Sequence, residues 1–193
     1  MNLKSHDIVV FTDGSSRGNP GPGGWGAIIV ADGKVIELGG REEHTTNNRM
    51  ELQAAISALS FLKSNVTGQM SIIIYCDSTY VVNGITKWVH RWQEKGWRTA
   101  NKKSVLNRDL WEDLVRAAHG KDIEWRHIVG HIGVAGNERC DEIATTYADL
   151  STIRQAHGGE FPRITSSRQA APTLYSGILE NYGIRNILNV HGR

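Results

Sequence analysis

The fold is decided by the stretch Ile8-Val9-Val10-Phe11-Thr12-Asp13-Gly14-Ser15, whose pattern returns in Ile72-Ile73-Ile74-Tyr75-Cys76-Asp77-Ser78-Thr79. Each stretch is an apolar, β-rich run that ends in an aspartate followed by turn or helix-start residues, which is typical of a buried strand. If the two strands are neighbours in one sheet, their ends place two carboxylates close together. Ionised carboxylates repel each other, so such a pair must bind cations or shift its pKa values. A set of oxygen ligands favours Mg²⁺ or Mn²⁺ over zinc.

The elements around these strands predict a mixed sheet flanked by helices. Residues 1–42 favour three antiparallel strands, with a hairpin turn at Asp32-Gly33. The next helix has Asn48 as its N-cap candidate and Glu51 at the capping-box spacing, and this helix makes the following strand parallel to an earlier one. Further helices are expected over residues 79–83, 86–94, 106–119 and 136–150, the first ending at Gly84, and a last strand over 123–129. The sequence therefore predicts an α/β fold with a five-stranded mixed sheet, in which parallel strands follow the three antiparallel ones.

Length and composition are those of a globular protein with one main domain. The chain has 193 residues, of which 39% are hydrophobic and 22% charged, and its net charge is only +2. Residues 1–7 lack the apolar core of a signal peptide, and no apolar run approaches the roughly 20 residues of a membrane span. The two cysteines, Cys76 and Cys140, are too far apart for a metal-ligand motif and are expected to be small buried apolar residues. We therefore expect a reduced, cytoplasmic protein without a membrane segment, and a monomer.

The character of the sequence changes after Leu150, where Gly, Pro and Ser residues interrupt regular patterns. We therefore divide the chain into a domain over residues 1–150 and a C-terminal extension over 151–193. Residues 151–172 are predicted to be a linker. Residues 174–190 regain apolar side chains at roughly helical spacing, which a wholly disordered tail usually lacks. This segment is expected to dock on an apolar surface of its own domain or of a protein partner.

Four acids are candidates for one site, although each has a structural explanation of its own. Asp13 could begin an Asp-Gly turn, and Asp77 could cap a helix. Glu51 could be only the capping-box partner of Asn48, and Asp141 could only gain from the dipole of its helix. Taken together, however, two of the acids end neighbouring strands and two lie near the starts of helices that can lean over the same sheet. Burying four carboxylates without cations is costly, whereas two divalent ions about 4 Å apart would satisfy them and act on a phosphodiester from both sides.

Six motifs of the chain resemble, in order, those of bacterial type 1 ribonuclease H: Phe11-Thr12-Asp13-Gly14-Ser15, Gly18-Asn19-Pro20-Gly21-Pro22-Gly23-Gly24, Thr46-Asn47-Asn48-Arg49-Met50-Glu51-Leu52, Asp77-Ser78, Gly130-His131 and Asn137-Glu138-Arg139-Cys140-Asp141-Glu142. The resemblance is nearly continuous over residues 7–150. It implies the ribonuclease H-like fold and a metal-dependent endonuclease that hydrolyses the RNA strand of RNA–DNA hybrids. It also implies two Mg²⁺ ions per site, with Mn²⁺ as an alternative, and products with 5′-phosphate and 3′-hydroxyl ends.

The same resemblance implies the roles of particular residues. The metal-binding carboxylates are Asp13, Glu51, Asp77 and Asp141, and His131 assists proton transfer or product departure. The RNA strand, whose 2′-hydroxyl distinguishes it from DNA, is contacted by Ser16, Gly18, Asn19 and Thr79. A phosphate pocket for the DNA strand is formed by Thr46, Asn47 and Asn107. Some relatives place an arginine two residues before this threonine, but this chain has His44 there, so its pocket is expected to be weaker or pH-dependent.

A basic segment, Lys87 to Arg108, is the strongest local charge feature. Seven cationic side chains stand against the single acid Glu94, and three tryptophans alternate with them. Trp88 and Trp92 are four residues apart and so share one helix face, which also fits an aromatic core stripe under a solvated helix. The resemblance implies a protrusion that binds the DNA strand through Trp88, Trp92, Lys95, Lys102 and Lys103. Because phosphate contacts carry no sequence information, we expect cleavage to be nearly independent of sequence.

Two other functions remain open at the level of the sequence. The same fold could serve a non-catalytic protein that binds hybrids, or another nuclease such as an integrase or a junction resolvase. The presence of all four acids favours an enzyme over the first alternative. The basic segment and the turn at Asn19 argue against the second.

Overall fold

A six-stranded mixed sheet is the frame of this computed structural model, which describes residues 8–31, 34–66, 71–130, 133–157 and 167–168. The strands are β1 (Ile8–Ser16), β2 (Gly21–Ala31), β3 (Lys34–Thr45), β4 (Ser71–Cys76), β5 (Asp122–His127) and β6 (Ser167–Arg168), in the spatial order β5-β4-β1-β2-β3-β6. Strands β1, β2 and β3 are antiparallel, whereas β4 and β5 run parallel to β1. The predicted five-stranded mixed sheet is confirmed, and β6 adds a short antiparallel pairing to the edge of β3. The predicted hairpin turn at Asp32-Gly33 lies outside the described residues.

Helices cover both faces of this sheet. They are α1 (Asn47–Asn65), α2 (Thr79–Asn83), α3 (Val89–Glu94), α4 (Arg108–Ala118) and α5 (Ala135–His157). Because side chains alternate along a strand, Ile8 and Val10 of β1 join the apolar cluster on the side of α1 and α4. Val9 and Phe11 join the second cluster, on the side of α5. The end of β1 is therefore held from both faces, which fixes the position of whatever side chains follow it.

Helix α1 begins at Asn47, and its N-cap lies two residues before the predicted N-cap Asn48. Its N-cap is Thr46, whose carbonyl oxygen accepts hydrogen bonds from the backbone of Arg49 and Met50 at 3.0 and 3.1 Å, and no side chain caps the helix. The predicted N-cap and capping box were therefore wrong, because three consecutive polar residues gave the sequence no means of choosing among them. Glu51 lies five residues after the true cap and is 5% exposed. Its structural explanation as a capping-box partner is thereby excluded.

The helix predicted over residues 79–83 is confirmed as α2, but Gly84 does not end the helical path of the chain. The chain stays helical there, passing from α2 through a π-helical turn, Gly84–Trp88, into α3. Gly84 has right-handed helical dihedrals, and a Cβ atom on it would lie 1.9 Å from the ring of Trp111. Glycine is needed here for close packing against Trp111 and not to end a helix. Because Trp111 lies 27 positions later in the chain, the sequence around Gly84 does not reveal this role.

Helix α5 extends to His157 and so crosses the predicted domain boundary at Leu150. The helix predicted to end at Leu150 therefore continues over residues 151–157, and Ser167–Arg168 form β6. The physical reason is that the sequence has no glycine or proline between Leu150 and Gly158, so nothing in it ends the helix. The docking segment 174–190 lies outside the described residues, and the division into domain and extension stays a prediction. Within the described residues, no helix has the length and apolar character that crossing a membrane requires.

Candidate active site

Asp13 and Asp77 follow adjacent positions of two neighbouring parallel strands. Thr12 of β1 is paired with Cys76 of β4, so the residues that follow them, Asp13 and Asp77, lie at the same edge of the sheet. Asp13 is 6% exposed, and its Oδ1 accepts a hydrogen bond from the backbone N–H of Gly14 at 2.7 Å. Strand β1 continues to Ser16, so Asp13 does not begin a turn. The helix after Asp77 is capped by the side chain of Ser78, so Asp77 is not a cap either.

Glu51 reaches the same edge because α1 packs directly on the backbone of β1. A Cβ atom on Gly14 would lie 2.2 Å from the backbone nitrogen of Glu51, so only glycine permits this approach. The side-chain amide of Asn47 donates to Glu51 Oε1 at 3.2 Å, one helical turn away. The other oxygen of Glu51 is buried without a hydrogen-bond partner.

Helix α5 brings the fourth acid from the other face of the sheet. Cys140 is fully buried in the apolar cluster under this helix, and the next residue, Asp141, is half-buried. Four residues earlier on the same helix, Asn137 is 2% exposed and donates from Nδ2 to Asp77 Oδ2 at 3.1 Å. The sequence prediction did not include Asn137 among the site residues. Its spacing from Asp141, which places both on one helix face, is the signal that would have identified it.

We call the four acids Asp13, Glu51, Asp77 and Asp141 the acid edge, and the pKa values of Asp13 and Glu51 are raised there. Burial, followed by repulsion from Asp77, raises the pKa of Asp13 to about 8, although the Gly14 N–H lowers it. Burial also raises the pKa of Glu51 well above its ordinary range, and the charges of Asp13 and Asp77 add to the effect. Such shifts are expected when carboxylates are withdrawn from water beside one another.

Positive side chains of the protein do not offset this charge. Arg17 binds Asp149 at 2.5 Å, and Arg139 binds Glu37 at 2.9 Å. Across the described ranges, no arginine or lysine forms an ion pair with the acid edge. The negative charge is therefore uncompensated, which is the condition under which buried carboxylates bind cations.

The chemistry of the acid edge fits a divalent metal ion. Ligand atoms of Glu51, Cys76 and Asp77 lie within 4.8 Å of one another. Cys76 is fully buried in the apolar core, and burial raises the pKa of its thiol, so it remains protonated and is not a metal ligand under ordinary conditions. The oxygens that remain, including the unpartnered Oε2 of Glu51, form the hard donor set that suits Mg²⁺ or Mn²⁺.

The residues predicted to contact the RNA strand lie beside the acid edge on two elements. Ser16 ends β1, and Gly18 and Asn19 belong to the turn that follows, which is closed by a 2.7 Å hydrogen bond between the backbones of Arg17 and Pro22. Gly18 has a φ of 110°, which residues other than glycine rarely adopt, and the Asn19-Pro20 peptide is cis. Thr79 is exposed and begins α2.

The residues predicted to form the phosphate pocket come from the starts of two helices. Thr46 and Asn47 begin α1, and Asn107 is the N-cap residue of α4 with a left-handed φ of 57°. Arg49 joins the two helices, because its Nη1 lies 3.5 Å from Asn107 Oδ1 and its guanidinium pairs with Asp109. The sequence prediction did not single out Arg49, although it stands inside the motif quoted for this region. His44, the departure from the expected arginine, is exposed on β3.

The basic segment presents three of its predicted contacts to solvent. Lys95, Lys102 and Lys103 are exposed, and their loop is closed by a 2.8 Å hydrogen bond from Thr99 N to the carbonyl oxygen of Lys103. Among the residues that the structure describes, none of these three lysines forms an ion pair, so their charges are open to a ligand.

The two tryptophans of the basic segment differ in their surroundings. Trp88 is 37% exposed, whereas Trp92 is half-buried and packs edge-on against Trp111 with ring centroids 5.6 Å apart. The ring centroids of Trp88 and Trp92 lie 5.7 Å apart. Trp92 therefore packs partly against the core, and Trp88 keeps a surface that a ligand can reach.

His131 lies outside the described residues, so its assignment stays a prediction. The chain before it does approach the acid edge: a Cβ atom on Gly130 would lie 2.8 Å from Asp77 Oδ2. The ring of His127, at the end of β5, has its Nε2 3.1 Å from the carbonyl oxygen of Asp77. The end of β5 and the residues directly after it thus enclose Asp77 on the side away from β1.

Fold and site together define a nuclease-like α/β domain with carboxylates gathered at the end of its central strands. The sequence profile described as RNase H matches residues 5–149. The chain belongs to the RNase H family, and the resemblance read from its motifs is confirmed. A relative named Ribonuclease H, from Thermosynechococcus vestitus, is 53% identical over 141 residues, which cover 72% of this chain and 87% of the relative.

Solved structures of similar proteins agree with the fold. LC9-RNase H1, described as a type 1 RNase H with the type 2 active-site motif, superposes with a TM-score of 0.70 and 27% identity over 96% of this chain and 87% of its own. LC11-RNase H1 in complex with an RNA/DNA hybrid has a TM-score of 0.60 and 24% identity over 75% of this chain and 99% of its own. At that identity the second likeness concerns the fold alone.

Proposed function

We propose that the protein is an endoribonuclease that hydrolyses the RNA strand of RNA–DNA hybrids, leaving 5′-phosphate and 3′-hydroxyl ends. The observation that carries the proposal is that Asp13, Glu51 and Asp77 lie at one edge of the sheet and that the charge of Asp141 acts on Asp13, with no ion pair from a cation of the described residues to neutralise them. A structural cluster would be expected to contain its own counter-ions. Membership of the RNase H family supports the choice of substrate.

The acid edge would hold two Mg²⁺ ions, with Mn²⁺ as an alternative. Bound there, the ions supply activation of a water molecule and stabilisation of the departing 3′ oxygen. The protein's part is to fix the carboxylates beforehand: Asn47 holds Glu51, and Asn137 holds Asp77. We assign to His131 the transfer of a proton or the departure of the product, on the resemblance alone.

Substrate recognition is divided between the two sides of the acid edge. On the RNA side, Ser16, Gly18, Asn19 and Thr79 would sense the 2′-hydroxyl, and the turn at Gly18 lets the backbone approach the minor groove. On the DNA side, a phosphate would bind Thr46, Asn47 and Asn107, and further contacts would come from Trp88, Trp92, Lys95, Lys102 and Lys103. With both sets of contacts, one protein would test both strands of a hybrid at once.

The decisive experiment compares four labelled substrates in Mg²⁺: a hybrid, duplex RNA, duplex DNA and single-stranded RNA. Cleavage of the RNA strand of the hybrid alone, abolished by EDTA and restored by Mg²⁺, is the expected result. End analysis should give 5′-phosphates. Binding of the hybrid without cleavage in either Mg²⁺ or Mn²⁺ would favour the non-catalytic alternative, and cleavage of duplex DNA would favour another nuclease of the same fold.

The remaining expectations concern cellular context. We infer that the protein acts as a monomer in the cytoplasm, and its two buried, unpaired cysteines are consistent with a reducing compartment. A docking role for residues 174–190, on their own domain or on a protein partner, remains our proposal. Light scattering of the full chain, with and without hybrid, tests whether the protein is a monomer.

A further inference from the structure

The hydroxyl of Tyr80 is the meeting point of a hydrogen-bond network between α2 and α4. It accepts from Trp111 Nε1 at 2.9 Å and from Asn107 Nδ2 at 3.2 Å, and lies 3.5 Å from the carbonyl oxygen of Leu106. A phenol oxygen has two acceptor positions and one proton, so these three partners use its full capacity. Removing the hydroxyl would therefore release three groups at once.

Asn107 depends on this network for its position. It adopts left-handed dihedrals of φ 57° and ψ 31°, which are uncommon outside glycine, and its side chain does not cap α4. Its amide nitrogen faces Tyr80, while its Oδ1 faces the guanidinium of Arg49, which can only donate. The two neighbours fix which way the carboxamide points. In the described part of the chain the second N–H of this amide has no acceptor, so it remains available to a phosphate oxygen.

The ring of Tyr80 also connects this loop with the tryptophans of the basic segment. Its centroid lies 5.2 Å from that of Trp111 and 6.3 Å from that of Trp88. Leu106, the residue before Asn107, is 80% exposed. Half-buried Tyr80 thus lies beneath a surface that combines a polar side chain, an exposed leucine and an exposed tryptophan.

We propose that Tyr80 is a positioning residue that sets the affinity for the DNA strand by holding Asn107 in its phosphate-binding orientation through the phenol hydroxyl. The proposal deepens the proposed function, on which it rests, since it presumes that Asn107 meets a phosphate. Tyr80 itself touches no reacting atom. Its removal should therefore act on binding and leave the chemical step unchanged.

The test is Tyr80→Phe, which keeps the ring and removes only the hydroxyl. We expect KM for a hybrid to rise about three- to ten-fold, the factor given by one hydrogen bond of ordinary strength, with kcat unchanged. The matched control is Tyr75→Phe, which removes a buried phenol that accepts from Arg126 Nη1 at 2.8 Å under α5. Both variants should lose some thermal stability, but only Tyr80→Phe should change KM.

A double-mutant cycle decides whether the effect passes through Asn107. In the Asn107→Ala background, Tyr80→Phe should raise KM no further, because the group that it positions is gone. The same cycle measured as the Kd of a catalytically inactive Asp13→Asn protein gives a reading that does not require turnover. Fully additive effects, or an unchanged KM in Tyr80→Phe, would overturn the proposal. Failure of the proposed function is distinguishable, since the unaltered protein would then not cut the hybrid at all.

Discussion

The charged groups of the acid edge and of the basic segment are placed in opposite ways. Asp13 and Glu51 are almost completely buried and are held by strands and helices that pack on the two apolar clusters. Lys95, Lys102 and Lys103 are exposed on a loop held by backbone hydrogen bonds. Chemistry requires groups placed before the substrate arrives, whereas attraction to phosphates requires charge and tolerates imprecise placement. Substitutions in the two regions should therefore change different kinetic constants.

The largest effect is expected at the acid edge. Asp13→Asn keeps the size of the side chain and removes a proposed metal ligand, so kcat should fall by at least about 10³-fold, the scale of removing a central catalytic group. The Kd for a hybrid should stay the same or decrease, because a negative charge near phosphates is removed. The control is Asp113→Asn on α4, whose carboxylate pairs with Arg116 and should be dispensable. Near-normal turnover of Asp13→Asn in Mg²⁺ would show that the acid edge does not hold the catalytic metal.

A smaller effect, of the opposite kind, is expected in the basic segment. Replacing Lys95, Lys102 and Lys103 by glutamine should raise KM and leave kcat nearly unchanged. The slope of log Kd against log salt should become shallower by about 0.9 for each phosphate that the protein no longer neutralises. Lys63→Gln is the matched control, since Lys63 lies about 25 Å along α1 from Thr46 at about 1.5 Å per residue. An unchanged salt slope would mean that this segment does not touch the substrate.

The pH dependence of stability should distinguish the acid edge from ordinary surface acids. The pKa of Asp13 is raised from 3.8 to about 8, so between these values the folded protein binds more protons than the unfolded chain. Stability of the metal-free protein should therefore fall as the pH rises through this window. Thermal melts in EDTA should show Tm decreasing with pH, with a weaker decrease in Asp13→Asn and a recovery on adding Mg²⁺. A Tm in EDTA that rises over the same range would contradict the raised pKa of Asp13.

The smallest effect is expected from removing the C-terminal extension. Helix α5 is held within the first 150 residues: Arg41 Nη1 donates to the carbonyl oxygens of Tyr147 and Ala148, and Arg17 binds Asp149. Truncation after His157, which keeps this helix whole, should preserve cleavage and lower Tm by no more than about 4 °C, equivalent to roughly 1 kcal/mol. Truncation after Leu150 should lower Tm further. Loss of cleavage by the shorter, still folded protein would show that the extension takes part in the active site.

Local sequence patterns were most informative where the structure repeats. The apolar runs Ile8–Phe11 and Ile72–Tyr75 predicted buried strands, and both are buried. Boundaries set by packing partners were missed, as at Gly84, where the ring of a distant tryptophan and not the helix itself requires glycine. Asn137 was overlooked for a similar reason. Its significance lies in the hydrogen bond to Asp77, 60 residues earlier in the chain.

The sequence by itself determined that this chain forms a mixed α/β sheet, that two of its acids follow apolar strand segments and two lie near helix starts, and that it belongs with ribonucleases H. Those properties depend on periodicity and on ordered motifs, which are local. Only the tertiary structure decided that Glu51 is no capping partner, that Cys76 stays out of the donor set, and that the hydroxyl of Tyr80 holds Asn107. These depend on distances between residues far apart in the chain, because burial and hydrogen bonding are set by what packs against a side chain and not by its neighbours in sequence.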